Sequence, residues 1–151
     1  MKEEVIELDT VDKYNKFFGV ETYHPMVTVV DLSKITQPAQ PFTINYGIYA
    51  LFLKDTLCGD ITYGRQPYDY QEGTIVFFAP GQVASIHAQE GTRPTGYGLL
   101  FHPDLIHGTQ LGHDIRNYSF FSYEAREALH LSEEERHTVI DCLHKIDTEL
   151  R

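Results

Sequence analysis

The chain has 151 residues, 42% of them hydrophobic and 23% charged, values that suit one folded domain with its own core and exclude a largely disordered chain. With 12 Lys and Arg against 22 Asp and Glu, the net charge of −10 excludes a chain that grips duplex DNA by itself, because that binding rests on basic side chains set against phosphates. No apolar run approaches the roughly 20 residues of a membrane-spanning helix, and the acidic start Met1-Lys2-Glu3-Glu4 lacks the apolar stretch of a secretory leader, so the reading is a cytoplasmic protein with no membrane contact.

Residues 1–25 read as a lead-in. A short helix is predicted over Val11 to Phe18, started by Thr10 as N-cap and stopped by Gly19. Residues 26–101 read as β structure. Met26 to Val30 is a β-branched run, and Phe42 to Leu53 is long and rich in aromatic and branched residues. Shorter runs follow at Asp60 to Tyr63, Tyr68 to Tyr70, Thr74 to Phe78, Val83 to His87 and Gly96 to Phe101. Gly64, Gln66-Pro67, Glu72-Gly73, Pro80-Gly81 and Glu90-Gly91 punctuate them. Short, closely spaced strands with such turns argue a sandwich or barrel, not a parallel α/β sheet. Gly96 and Gly98 lack the third glycine of a nucleotide-binding loop and read as a packing or strand-bend feature.

Residues 102–151 turn helical. His102-Pro103-Asp104-Leu105-Ile106 suits a short helix with Pro near its first position, and Leu111 to Tyr118 a further turn or two. Ser132-Glu133-Glu134-Glu135 is a capping box, and three acidic residues complement the positive end of the helix dipole. Val139, Ile140, Leu143, Ile146 and Leu150 then recur at three- and four-residue steps as an apolar stripe. No Gly, Asn or Pro ends this helix before Arg151, and the expectation is that the natural chain continues. Cys58 and Cys142 stand in no disulfide-framework or zinc-like spacing and read as reduced, structural thiols.

Three stretches carry a family resemblance. Gly73-Thr-Ile-Val-Phe-Phe-Ala-Pro-Gly-Gln82 is similar to the strand and turn ending in Pro-Gly-Gln in the cupin-like sensor domains of AraC-type transcription regulators. Gly96-Tyr-Gly-Leu-Leu-Phe-His-Pro-Asp-Leu-Ile-His-Gly-Thr109 resembles the barrel exit in a branch of those regulators. Tyr118 to Tyr123, followed by Ala128-Leu-His-Leu-Ser132 and the capped helix, resembles the helical linker that precedes their DNA-binding half. The resemblance covers roughly residues 20–151. It implies a mostly β chain with C-terminal helices, namely a double-stranded β-helix barrel and a helical linker and dimerisation segment. It also implies a small-molecule effector, a homodimer, and DNA contact only through a helix-turn-helix domain not present in this chain.

A metal-bearing cupin needs His-x-His and a later Glu on adjoining strands. The stretch from Gly59 to Gly73 offers Tyr63-Gly-Arg65-Gln-Pro67, with Glu72 the one carboxylate near its end, and the downstream strand offers His87 alone. His24, His102, His107 and His113 fall in turns or helix starts. No metal, no cofactor and no enzymatic activity are expected, and neither a nucleophile elbow nor a phosphate-binding loop is present. The effector candidates are Tyr46, Tyr63, Arg65, Tyr68 and His87, on or beside barrel strands. Strand tyrosines also serve as core or cross-strand partners, and Arg65 beside its turn also reads as a solvated charge. The stripe Val139, Ile140, Leu143, Ile146 and Leu150 is the dimerisation candidate, although it also suits packing on its own barrel. The rival reading is a free-standing small cupin, a metal-free enzyme or a small-molecule binder, and the capped helix and the Phe-His-Pro-Asp-Leu junction favour the regulator.

Overall fold

Thr10 accepts a hydrogen bond from the Lys13 amide at 3.1 Å, and Gly19, at φ 72, closes the predicted helix in the left-handed region. Helix α1 therefore spans Val11–Phe18. The structure, a computed structural model, describes residues 5–35, 42–54, 60–63, 66–67, 74–87, 96–117 and 129–151. The lead-in also supplies a strand that sequence reasoning missed, β1 (Val5–Leu8).

The long apolar run from Phe42 breaks at Gly47 into β3 (Phe42–Tyr46) and β4 (Tyr49–Lys54). There the backbone approaches Asp9 so closely that a Cβ on Gly47 would lie 2.6 Å from the Asp9 Cα. The Gly47 amide donates to the Leu8 carbonyl at 2.9 Å. Apolar residues on both sides of the break hid it. The remaining strands are β2 (Val27–Asp31), β5 (Asp60–Tyr63), β6 (Gln66–Pro67), β7 (Thr74–Phe78), β8 (Val83–His87), β9 (Gly96–Phe101) and β10 (Leu129–His130). The run expected at Tyr68 to Tyr70 lies outside the described residues. One-turn 3-10 helices sit at Leu32–Lys34 and Ile115–Asn117. Helices α2 (Pro103–Ile106), α3 (Gln110–Asp114) and α4 (Glu133–Leu150) follow the strands.

One sheet has the order β1-β3-β8-β5-β6 and the other β10-β7-β4-β9-β2. From β2 to β9 each strand lies in the opposite sheet from its predecessor, the β5–β6 hairpin excepted. Among the described residues all pairings are antiparallel apart from β1 against β3. The chain is thus mostly β with C-terminal helices. Among the described residues no strand of one sheet pairs with a strand of the other, so two facing sheets stand where a closed barrel was expected. They are joined by chain crossings and a shared core instead of a continuous ladder.

That core holds Ile44, Tyr46 and Ala84 from the first sheet against Val30, Ala50, Phe52, Val76, Phe78 and Leu100 from the second. Helix α1 adds Val11, Tyr14 and Phe18. Because strand side chains alternate, Leu53, Ile75 and Phe77 emerge on the other face of the second sheet. They pack there with Val139 and Ile140 of α4. A third cluster joins Phe101 to Ile106 and Ile115. Strand β7 is consequently buried along its whole length. Gly98 has the packing role read from sequence, since a Cβ there would meet the Phe52 ring at 2.9 Å. Cys142 departs from the reading of a structural thiol. It is exposed and free, because each helical residue turns about 100° from its neighbour and Leu143 takes the buried side. Cys58 lies outside the described residues.

Candidate functional site

Tyr46 is 2% exposed and stacks on Phe78 with ring centroids 4.7 Å apart. Phe52 stands 6.4 Å away, and Tyr14, brought in by α1, contacts the same Phe52. Burial pushes the Tyr46 and Tyr14 hydroxyls well above the ordinary phenol range, so both remain neutral. Around Tyr46, aromatic side chains of both sheets and of α1 pack together. Sequence reasoning missed that α1 contributes to this core, although Val11, Tyr14 and Phe18 at helical spacing carried the signal. Tyr63 ends β5 opposite Ala84, which pairs in turn with Ile44. His87 ends β8 opposite Asp60, in a row of the other parity. The register therefore does not bring Tyr63 and His87 to one row. Arg65 and Tyr68 lie outside the described residues.

A cleft of about 280 Å³ opens on the flank of the second sheet, beneath the last turns of α4. Its floor is Val29 and Val30 of β2, beside Tyr97 of β9. The loop after α1 forms one wall with Val20, Glu21 and Tyr23, and the end of α4 forms another with His144, Asp147 and Arg151. Asp31 and Lys34 complete the rim. The Asp31 carboxylate caps its 3-10 helix, accepting from the Ser33 amide at 3.0 Å and the Ser33 hydroxyl at 2.6 Å.

Two contacts latch α4 across this cleft. Arg151 donates from Nη1 to the Tyr23 hydroxyl at 3.2 Å, and its guanidinium carbon lies 4.8 Å from the Tyr23 ring centroid. His144 Nε2 is 3.2 Å from the Tyr97 hydroxyl, with the rings edge to face at 5.2 Å. Arg151 also donates from Nε to Asp147 at 3.1 Å. The loop wall is itself anchored, because Asn15 of α1 donates to Thr22 at 3.0 Å and to Thr28 of β2 at 3.3 Å. No local sequence signal marks the cleft, which tertiary packing builds from three distant segments.

The dimerisation candidates lie on α4 as predicted, with their inner side against this chain's own sheet. Val139 and Ile140 pack on the cluster of Leu53, Ile75 and Phe77. Leu143 is 2% exposed, whereas Ile146 and Leu150 are half-buried. The outward side carries Glu134, His137, Asp141 and Lys145. A broad depression between α2 and α3 is lined by His107 and His113 among others. Among the described residues no group of three His, Cys, Asp or Glu could hold a metal ion, and no helix is long and apolar enough to cross a membrane. No protein-family model matches the chain, and no curated protein matches it.

Proposed function

We propose that this chain is the effector-sensing and dimerising domain of an AraC-type transcription regulator, non-enzymatic and cytoplasmic. The carrying observation is that strands β2 to β9, ordered β2-β9-β4-β7 and β3-β8-β5-β6, are followed by a capped 18-residue helix lying along the outer face of one sheet. That strand order is the one a jelly roll produces, and cupins belong to that architecture. A free-standing cupin has no need of the appended helix, whereas a sensor needs an element that reports occupancy. The charge of −10 fits a domain whose DNA contacts are supplied by other, basic residues.

In this reading an effector acts by favouring one placement of α4 over another, and any such effector must bind one placement better. The flank cleft is the binding place in this reading, since it adjoins the helix that must respond. The homodimer would use the half-buried margins of α4, Ile146 and Leu150 among them.

The test is to read the coding frame past the codon for Arg151 and to weigh the protein by light scattering. A frame that runs on into a basic segment with two helix-turn-helix patterns, together with a dimer mass, is the expected result. A stop codon directly after Arg151 would overturn the regulator reading in favour of a small cupin acting alone.

A further inference from the structure

We infer that the cleft beneath α4 takes a small zwitterion, an α-amino acid of about ten non-hydrogen atoms with an apolar side chain, and that its occupancy locks the last turns of α4 onto the sheet. The inference rests on the sensor reading only for the meaning of the lock; the binding itself does not depend on DNA.

Size comes first. A cleft of about 280 Å³ holds roughly nine water molecules at about 30 Å³ each, the bulk of an amino acid and too little for a dinucleotide. The charges then choose the ligand. Arg151 is already paired with Asp147, but the Lys34 ammonium has no carboxylate within ion-pair distance among the described residues. On the acidic side, Asp31 uses only Oδ1, on Ser33, and Glu21 uses only Oε2, accepting from Tyr23 at 3.1 Å. One unmatched cation and two carboxylates with an acceptor oxygen to spare therefore face one small space. A simple anion would meet Glu21, Asp31 and Asp147, and a simple cation would meet Lys34 and Arg151. A ligand carrying both charges satisfies both sets. Its apolar part has Val20 and Val29 beside the Tyr97 ring to cover.

Lock and ligand share residues. The walls belong to the loop after α1, to the β2 flank and to the end of α4, and α4 already touches the other two through Arg151–Tyr23 and His144–Tyr97. A molecule seated among all three binds the docked helix and loses its site when the helix end lifts, so binding suppresses lifting by mass action.

The experiment is calorimetric titration of the chain with each of the twenty standard L-amino acids. For each that binds, the amine lacking its carboxylate and the acid lacking its ammonium are titrated next; for leucine these are isopentylamine and 4-methylpentanoate. At least one apolar amino acid should bind, and either single-charge analogue should bind at least tenfold more weakly. Lys34→Ala removes a solvent-exposed side chain with no ion-pair partner among the described residues, so the fold should survive while affinity falls at least tenfold. Amide exchange at residues 144–150 should slow about a hundredfold when the ligand stands at a hundred times its Kd. Failure of all twenty to bind, affinity unchanged by Lys34→Ala, single-charge analogues binding equally well, or exchange at 144–150 unmoved by a bound ligand would each overturn the inference. These outcomes are independent of the coding frame: an AraC-type frame without amino-acid binding rejects this inference alone, and amino-acid binding by a chain whose frame stops supports it while rejecting the regulator.

Discussion

Asn15 is fully buried on α1, and its amide joins three segments. It donates to Thr22 in the loop after α1 and to Thr28 in β2, while the Thr22 hydroxyl donates on to Asp12 at 2.9 Å. Its Oδ1 has no partner among the described residues, so this polar side chain is retained for what its nitrogen holds. Leaving a buried hydrogen-bonding group without its partner costs about 1–3 kcal/mol. Asn15→Ala should therefore lower stability by about that amount in urea unfolding, whereas Thr22→Val, at the half-exposed end, should cost less. A variant as stable as the native chain would show that the network is incidental. The position was half legible in sequence. Asn15 stands four residues after Val11 and so on the helix's buried face, but an Asn among Asp12, Lys13 and Lys16 reads as surface until the hydroxyls of Thr22 and Thr28 come to meet it.

Among elements, α4 was the most legible and β1 and β10 the least. The capping box is a local signal spanning four residues, and both of its halves form. The Glu135 amide donates to Ser132 Oγ at 3.1 Å, and the Ser132 amide donates to Glu135 Oε1 at 2.9 Å. By contrast, β1 and β10 are four and two residues long and exist because distant partners, β3 and β7, present an open edge. The β3–β4 break escaped for a similar reason, since only the approach of Asp9 reveals it. The cap carries a pH signature. The Ser132 backbone amide, bonding to the ionised form, holds the Glu135 carboxyl below the ordinary range. A carboxyl whose value is lower folded than unfolded stabilises the folded state above its unfolded value of about 4.3, and that stabilisation disappears as pH falls through the folded value. Between about pH 5 and 2 the helical circular dichroism of the native chain should fall more steeply than that of Glu135→Gln, which keeps an acceptor without a titrating group. Ser132→Ala should cost about 1 kcal/mol at neutral pH. Superimposable acid titrations of the native chain and Glu135→Gln would exclude the carboxyl from the cap's energetics.

At the scale of the molecule the second sheet sets how the helices are used. It is covered on both faces, by the shared core inside and by helices outside, and α4 supplies much of the outer cover over Leu53, Ile75 and Phe77. An alternating strand pattern predicts one wet face, and the fully apolar Ile75-Val76-Phe77-Phe78 run was the sequence's sign that β7 has none. Which helix would cover it was not legible, because an apolar stripe does not name its partner. The stripe of α4 thus has a structural duty before any regulatory one, and the two duties compete: a surface docked on its own sheet is withheld from a second subunit. A chain ending at Leu131 separates them. Without α4, three large apolar side chains on one face lose their cover, and contiguous exposed apolar surface drives association. That chain should bind a hydrophobic dye strongly and scatter light as oligomers despite the acidic surface, while the chain of 151 residues does neither beyond its native mass. A shortened chain that stays dye-silent and monodisperse would instead mean that the sheet closes over its own face. Lifting α4 would then leave little apolar surface uncovered, so the helix could exchange partners at little cost to the rest of the fold.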